Sequence, residues 1–165
     1  MGILGMLRRR KIPRAFQDYL SPDAIGKLLR ESDSEIRPPE VQHFQFVVAL
    51  AEDTSPQEVP AMISEIVGTL IQHRATVSNI SSSLVVALLG VPFPEGNSAE
   101  ARRELVDALL RANGERIRIV HGECDGAVGM FGGPKRWTYG AVIPGFSGIL
   151  MKLIETKFGT AVDVS

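Results

Sequence analysis

From residue 41 onward the chain alternates between strand-like and helix-like patterns of apolar residues, and the order of these patterns limits its fold more than any other feature. A run rich in Phe and Val predicts a strand over 41–51. Ser55-Pro56 is typical of a helix start, with Ser as the cap and Pro in the first turn. Apolar residues at helical spacing then predict a first helix: Met62, Ile63, Ile66, Val67, Leu70 and Ile71.

The next elements follow at short intervals. Two short strands are predicted over 75–80 and 84–89, with serines between them. Asn97-Ser98 opens a second helix, which Asn113-Gly114 ends. A further strand is predicted over 116–124. The order strand, helix, strand, strand, helix, strand is that of a ferredoxin-like core.

The rest of the chain extends this core. Residues 126–131 lead to a tight turn over 132–135 and a returning strand. A third helix over 144–156 and a last strand over 161–164 complete the pattern. The predicted fold class is therefore α+β, a ferredoxin-like βαββαβ core with an appended hairpin, helix and strand.

Composition excludes several classes of protein. With 165 residues, 44% of them hydrophobic, the chain is long enough for one sizeable core. A net charge of -1 provides no basic field for nucleic acid. Cys124 is the one cysteine, so no internal disulfide framework forms, which suits a reducing, cytoplasmic compartment. No apolar run approaches the roughly 20 residues of a membrane span.

The predicted domain boundaries follow these patterns. Residues 1–13 form a basic arm, 14–40 a helix and linker, and 41–165 the main domain. The helix start is marked by Ser21-Pro22. The basic run 8–11 predicts a solvated arm, and the alternative is contact with an anionic membrane surface.

Three segments carry a resemblance to a known family. Residues 126–143, with a glycine-rich turn, an aromatic and a Val-Ile strand, resemble the hairpin of class III adenylyl/guanylyl cyclase catalytic domains. Residues 85–92 resemble that family's apolar strand, and 16–23 are similar to the segment that often precedes bacterial cyclase domains. The resemblance implies the same fold as that predicted from the order of elements.

The resemblance also implies positions for metal and purine binding. Two-metal phosphoryl chemistry needs carboxylates that hold the cations. Glu52 corresponds to the family's first metal-binding aspartate, with Asp53 beside it. Ser83 corresponds to the second aspartate, and Asn79 to the purine-reading lysine. The alternative for Glu52 and Asp53 is a solvated strand end without a site.

A third motif of the family supplies a base-reading aspartate, a ribose-orienting asparagine and an arginine that meets the phosphate charge. Here Gly145, Gly148 and Lys152 take those places. Lys152 keeps a positive charge but lacks the two-pronged geometry of arginine. The glycines at this helix start equally suit close packing, and the free amides of a helix start bind anions.

We therefore expect a catalytically degenerate cyclase-like domain, a pseudoenzyme that acts as a dimerisation or regulatory module in signal transduction and needs no cofactor. One alternative is a divergent adenylate or guanylate cyclase, a phosphorus-oxygen lyase using Glu52, Asp53 and Lys152 with Mg²⁺ or Mn²⁺. Another is a non-catalytic nucleotide sensor. The family's active sites form between two domains, which implies a homodimer, or a heterodimer with another cyclase-like domain. The hairpin with Phe131 and Trp137 is the candidate interface.

Two further groups of residues have alternative interpretations. His121, Cys124 and Asp125 resemble a nucleophile or metal cluster, but strand alternation puts Cys124 on the face opposite the other two. Trp137 and Tyr139 share one strand face, where they either stack on a ligand or, as favoured here, cover a sheet or an interface.

Overall fold

The computed structural model describes residues 39–52, 55–92, 94–133 and 136–165. The predicted arm at 1–13 and most of the predicted helix and linker lie outside these residues. Glu40 begins the first strand, one residue before the predicted position. Among the described residues, no helix has the length and apolar character needed to cross a membrane.

In the part of the chain that the structure describes, six strands and three α-helices follow the predicted order. The strands are β1 (Glu40–Ala51), β2 (Thr76–Ser81), β3 (Leu84–Leu89), β4 (Ile117–Gly133), β5 (Arg136–Val142) and β6 (Ala161–Asp163). The α-helices are α1 (Val59–Gln72), α2 (Ala99–Asn113) and α3 (Phe146–Glu155). A single 3₁₀ turn, Gly114–Arg116, joins α2 to β4.

The strands form one sheet in the order β2-β3-β1-β4-β5, and β6 pairs in parallel with β4. The first four strands pair antiparallel, as in the ferredoxin-like arrangement predicted from the sequence. The α+β fold class is confirmed.

Side chains along each strand point alternately to the two faces of the sheet, and both faces are buried. Val47 and Ala49 of β1 face α1 and α2, whereas Phe46 and Val48 face the side that carries α3. Burial on both faces explains why the middle of β1 is an almost continuous apolar run.

The hairpin of β4 and β5 bends back over the sheet. A Cβ added at Gly126 would meet the backbone oxygen of Val142, so only glycine fits where β4 meets the end of β5. Tyr139 and Ala141 pack against the core on the α3 side. A Cβ at Gly140 would lie 3.2 Å from the Ser78 hydroxyl. This contact brings β5 close to β2, at the opposite edge of the sheet.

The start of α1 differs from the sequence-based prediction. Ser55 accepts a hydrogen bond from the Gln57 amide at 3.3 Å, but it caps a turn, and the helix begins at Val59. Pro60 explains the shift, because a helix begun at Pro56 would place Pro60 in its interior, where its missing N–H breaks a hydrogen bond. The start of α2 agrees with the prediction, since Ser98 Oγ accepts from the Ala101 amide at 3.1 Å.

Replacing Arg74 by glycine should stabilise the protein by about 0.5–1 kcal/mol. Arg74 ends α1 in a left-handed conformation, with φ +60°, and the Ala75 amide closes the helix on Leu70 O at 2.9 Å. Urea denaturation measures the change. His73→Gly is the matched control, since His73 has φ -89° and gains nothing from glycine. A loss of stability in Arg74→Gly would contradict the prediction.

Candidate functional site

The end of β1 meets the turn between β2 and β3. The Ala51 amide donates to Ser83 O at 2.9 Å, and the Glu52 amide donates to Arg116 O at 2.7 Å. Glu52 and Ser83 are therefore brought to one end of the sheet, and both are half-buried. Asp53, the neighbour proposed from the sequence, lies outside the described residues.

The turn that carries Ser83 is tight. Ser81 pairs with Leu84, which leaves Ser82 and Ser83 as the connecting residues. Ser82 has φ +56°, a conformation that glycine usually takes in two-residue hairpins. The turn thus fixes the backbone of Ser83, which carries a neutral hydroxyl, at the same end of the sheet as Glu52.

Asn79 lies on the same hairpin but on its outer strand. It is exposed and opposite Val86, at a bulge where the register of β2 shifts. No described contact links its side chain to Glu52 or Ser83. Asn79 therefore keeps the chain position that the resemblance implies for the purine-reading residue, and its described contacts are those of an exposed strand residue.

The third group of predicted site residues lies on α3. Gly145 precedes the helix in a left-handed conformation, with φ +68°, and this delays the helix start to Phe146. Among the described residues, nothing lies within 4 Å of a Cβ added at Gly145 or Gly148, so packing against these residues does not explain either glycine. Lys152 is exposed, and its Nζ lies 4.0 Å from Glu155 Oε2.

Arg118 of β4 fixes the far end of α3. Its Nη1 donates to Ile154 O at 2.6 Å and to Thr156 O at 3.2 Å. Its guanidinium also lies over the Phe158 ring, 4.6 Å from the centroid. A cation at the end of a helix complements the partial negative charge of the last carbonyls. Arg118 therefore positions α3 across the sheet.

The described residues do not fit a two-metal centre. Among them, no group of three or more His, Cys, Asp or Glu side chains is placed to hold a metal ion. The described donors at the end of β1 are the Glu52 carboxylate and the neutral Ser83 hydroxyl. Mg²⁺ and Mn²⁺ prefer charged oxygen donors, so this pair is a poor substitute for two aspartates.

A polar cluster that sequence reasoning missed surrounds Arg102 of α2. Arg102 is 1% exposed, and its Nη1 donates to Gln45 Oε1 at 2.6 Å. Its Nη2 donates to Asp163 Oδ2 at 2.8 Å. Gln45 in turn donates to Glu123 at 3.1 Å. The available signal was the position of Arg102 one turn before Leu105, on the apolar face of a helix.

His121 lies beside this cluster. It is buried, its Nδ1 is 3.9 Å from Asp163 Oδ2, and that nitrogen has no hydrogen-bond partner among the described residues. Burial lowers the pKa of His121, which outweighs the attraction of Asp163 for the charged form. Burial alone would raise the pKa of Asp163, but hydrogen bonds from Ser165 and the charge of Arg102 lower it to about 2.

The predicted separation of His121, Cys124 and Asp125 agrees with the strand pairing. Asp125 lies beside His43, with 3.1 Å between Oδ1 and Nδ1, and not beside His121. Cys124 packs on the opposite face, where burial raises the pKa of its thiol to about 11. A thiol that stays protonated at neutral pH is a weak nucleophile, so no catalytic cluster forms here.

The aromatic residues of the hairpin are described in part. Tyr139 packs against the core on the α3 side, and burial raises the pKa of its hydroxyl. Phe131 is half-buried. The backbone register places Trp137 opposite Gly132. The Trp137 side chain lies outside the described part of the chain, so its position on the same strand face as Tyr139 rests on the backbone alone.

No protein-family model and no curated protein sequence matches the chain. Solved structures do match it. The guanylyl cyclase Cya2 has 16% identity and a TM-score of 0.60, with 77% of each chain covered. The adenylyl cyclase CyaB from P. aeruginosa has 15% identity and a TM-score of 0.59, covering 75% of this chain and 78% of that one.

A third structure, the guanylate cyclase domain of RhGC from Catenaria anguillulae in complex with GTP, has 12% identity and a TM-score of 0.60. It covers 74% of this chain and 78% of that one. At such low identity the similarity establishes the fold and not the chemistry. The chain has the fold of the nucleotide cyclase catalytic domain.

Proposed function

We propose that this chain is a catalytically degenerate nucleotide cyclase-like domain that acts as a dimerisation and regulatory module in signalling. The observation that carries the proposal is that the end of β1, where Glu52 lies, meets the turn that carries Ser83, through the hydrogen bond from the Ala51 amide to Ser83 O. In the family that the chain resembles, the positions of Glu52 and Ser83 both carry aspartates. Here one of the two positions carries a carboxylate and the other a neutral hydroxyl.

The chemical consequence concerns charge. Cyclisation of a nucleoside triphosphate needs two cations, which neutralise the phosphates and activate the attacking hydroxyl. Ser83 brings no negative charge to balance a second cation. Even one preorganised donor contributes about 3 kcal/mol to transition-state stabilisation, so the combined loss predicts negligible turnover.

The outer face of α3 supports the same proposal. Gly145 and Gly148 present no side chain to a base or a ribose, and the space beside them is open. Lys152 is the one charged group at the three corresponding positions, and Glu155 lies 4.0 Å from it. A single lysine cannot replace an aspartate, an asparagine and an arginine that act together.

Dimerisation is the positive part of the proposal. The resemblance implies pairing with a second cyclase-like domain, and the hairpin that contains Phe131 and Trp137 is the candidate for part of that interface. Met151 and Ile154 of α3 are also 60% and 61% exposed, which leaves apolar surface beside the open face of the helix. We expect sedimentation equilibrium to show dimers at high micromolar concentration.

Trp137→Ala should shift that equilibrium toward monomers, whereas Arg103→Ala, an exposed change on α2, should leave it unaltered. A monomer at high micromolar concentration, alone and with candidate cyclase domains, would count against the dimerisation module.

Ser83→Asp should create divalent-cation binding that the natural chain lacks. A second carboxylate beside Glu52 gives Mn²⁺ a charged donor pair. At a concentration tenfold above its dissociation constant, Mn²⁺ would stabilise the variant by about 1.4 kcal/mol through mass action. Thermal denaturation with and without Mn²⁺ measures the effect. Ser83→Asn is the control of equal size without charge. Equal responses of the Asp variant and the natural chain would show that Glu52 and position 83 do not share a site.

A further inference from the structure

We propose that Arg102, Asp163 and His121 form an acid-sensitive latch that holds the C-terminal strand β6 against β4. This latch lies on the face of the sheet that carries α1 and α2, and it is independent of the proposed degeneracy at Glu52 and Ser83. It rests on the buried polar cluster around Arg102.

Strand β6 has few backbone contacts of its own. It pairs with β4 over three residues, from Ile119 to His121. The Ile119 amide donates to Thr160 O at 3.1 Å, and the Val164 amide donates to His121 O at 2.9 Å. A parallel ladder of three residues at a sheet edge is weak, so side chains must contribute to holding the strand.

The Arg102 guanidinium supplies that contribution. The buried guanidinium needs a carboxylate partner, because an unpaired buried charge is strongly destabilising. Asp163 Oδ2 of β6 lies 2.8 Å from Arg102 Nη2, whereas Glu123 Oε2 of β4 lies 3.8 Å from Nη1. The ion pair therefore ties β6 to α2 across the sheet edge.

His121 makes the latch responsive to acid. Its Nδ1 points toward the same Asp163 oxygen that Arg102 holds, at 3.9 Å and without a hydrogen bond. The charged groups that act on the ring are Arg102, Arg103 and Asp107 of α2 and Asp163 of β6, and Glu123 of β4 lies 3.8 Å from Arg102 in the same cluster. A proton on the imidazole puts a second positive charge beside the buried Arg102.

The sign of the pH effect follows from burial. The pKa of His121 lies below its ordinary value of 6.5 while the strand is docked, chiefly because the ring is buried. Detachment of β6 exposes the ring and lets the pKa return toward that value. The detached state therefore binds the proton more tightly, and detachment becomes more favourable as the pH falls below 6.5.

Linkage sets the size of the effect. Between pH 7.5 and pH 5.5, a ring with a pKa of 6.5 when detached and a lower pKa when docked raises the detached population, and about tenfold is the upper limit for one group with that detached pKa. Amide hydrogen exchange, corrected for the intrinsic rate at each pH, reports this population. The informative amides are those of Ile119 and Val164, and the Ala51 amide on β1 is the reference.

We expect the protection of Ile119 and Val164 to fall from pH 7.5 to pH 5.5, relative to Ala51, by at most about tenfold. His121→Gln should abolish the pH dependence. His43→Gln and His73→Gln, at the other two histidines of the chain, should retain it. Asp163→Asn should lower the protection of both amides at either pH. Protection that is unchanged between the two pH values, or a pH dependence that persists in His121→Gln, would overturn the latch, as would full protection in Asp163→Asn.

Discussion

Arg102→Met should lower the free energy of unfolding by about 3 kcal/mol, because it removes one partner from a buried ion pair. Methionine keeps much of the apolar volume, so the loss isolates the polar contacts. Gln45 loses its donor, and Asp163 loses the positive charge that, together with hydrogen bonds from Ser165, lowers its pKa. Asp163 is 37% exposed and regains some water, which keeps the effect at the lower end of the range for buried pairs.

Urea denaturation at pH 7 measures this change, provided that the slope with denaturant stays constant. Arg103→Met is the matched control. Arg103 follows Arg102 on the same helix but is exposed, and a surface change of this kind shifts stability by less than about 0.5 kcal/mol. Equal stability of the two variants would mean that the cluster around Arg102 is structurally neutral.

Gly126→Ala should destabilise the protein by about 2–3 kcal/mol, because the new methyl group has no space. It would overlap the backbone oxygen of Val142 and lie 3.0 Å from the ring of Phe44. Phe44 is fully buried and cannot move aside. The hairpin of β4 and β5 would therefore separate from the core, and the near-ultraviolet circular dichroism of Tyr139 would weaken.

Gly148→Ala is the matched control for this substitution. Gly148 lies inside α3 with open space around it, so the same methyl group should stabilise the protein by about 0.5–1 kcal/mol. Opposite signs for the two variants are expected in one denaturation series. Stabilisation by Gly126→Ala would show that Val142 and Phe44 do not pack against Gly126 as described.

Local patterns predicted most of the fold. Residues close together in the sequence determine the bounds of β3 and the cap at the start of α2. Both were predicted correctly, at 84–89 and at Ser98. The start of α1 was wrong by about one turn, because the Ser55-Pro56 signal is local while the restriction comes from Pro60. The pattern of apolar residues also predicted the long strand β4 only in part, since its glycines hid its continuity.

The polar cluster was beyond the reach of sequence patterns. Arg102 meets Gln45 and Asp163, which lie 57 and 61 residues away along the chain. Periodicity predicts which face of a helix is buried, but it does not predict which distant partner an isolated charge finds there. The metal-binding positions of Glu52 and Ser83 were implied by the family resemblance, and the hydrogen bond from the Ala51 amide to Ser83 O brings these residues to one end of the sheet.

A cyclisation assay on the purified protein with Mn²⁺ and either ATP or GTP is the most direct test of the proposed degeneracy. We expect no cyclic nucleotide above the level of a protein-free blank, because Ser83 brings no negative charge to the second metal-binding position. Formation of cyclic AMP or cyclic GMP that Glu52→Ala abolishes would contradict the proposed degeneracy and identify the chain as a divergent cyclase.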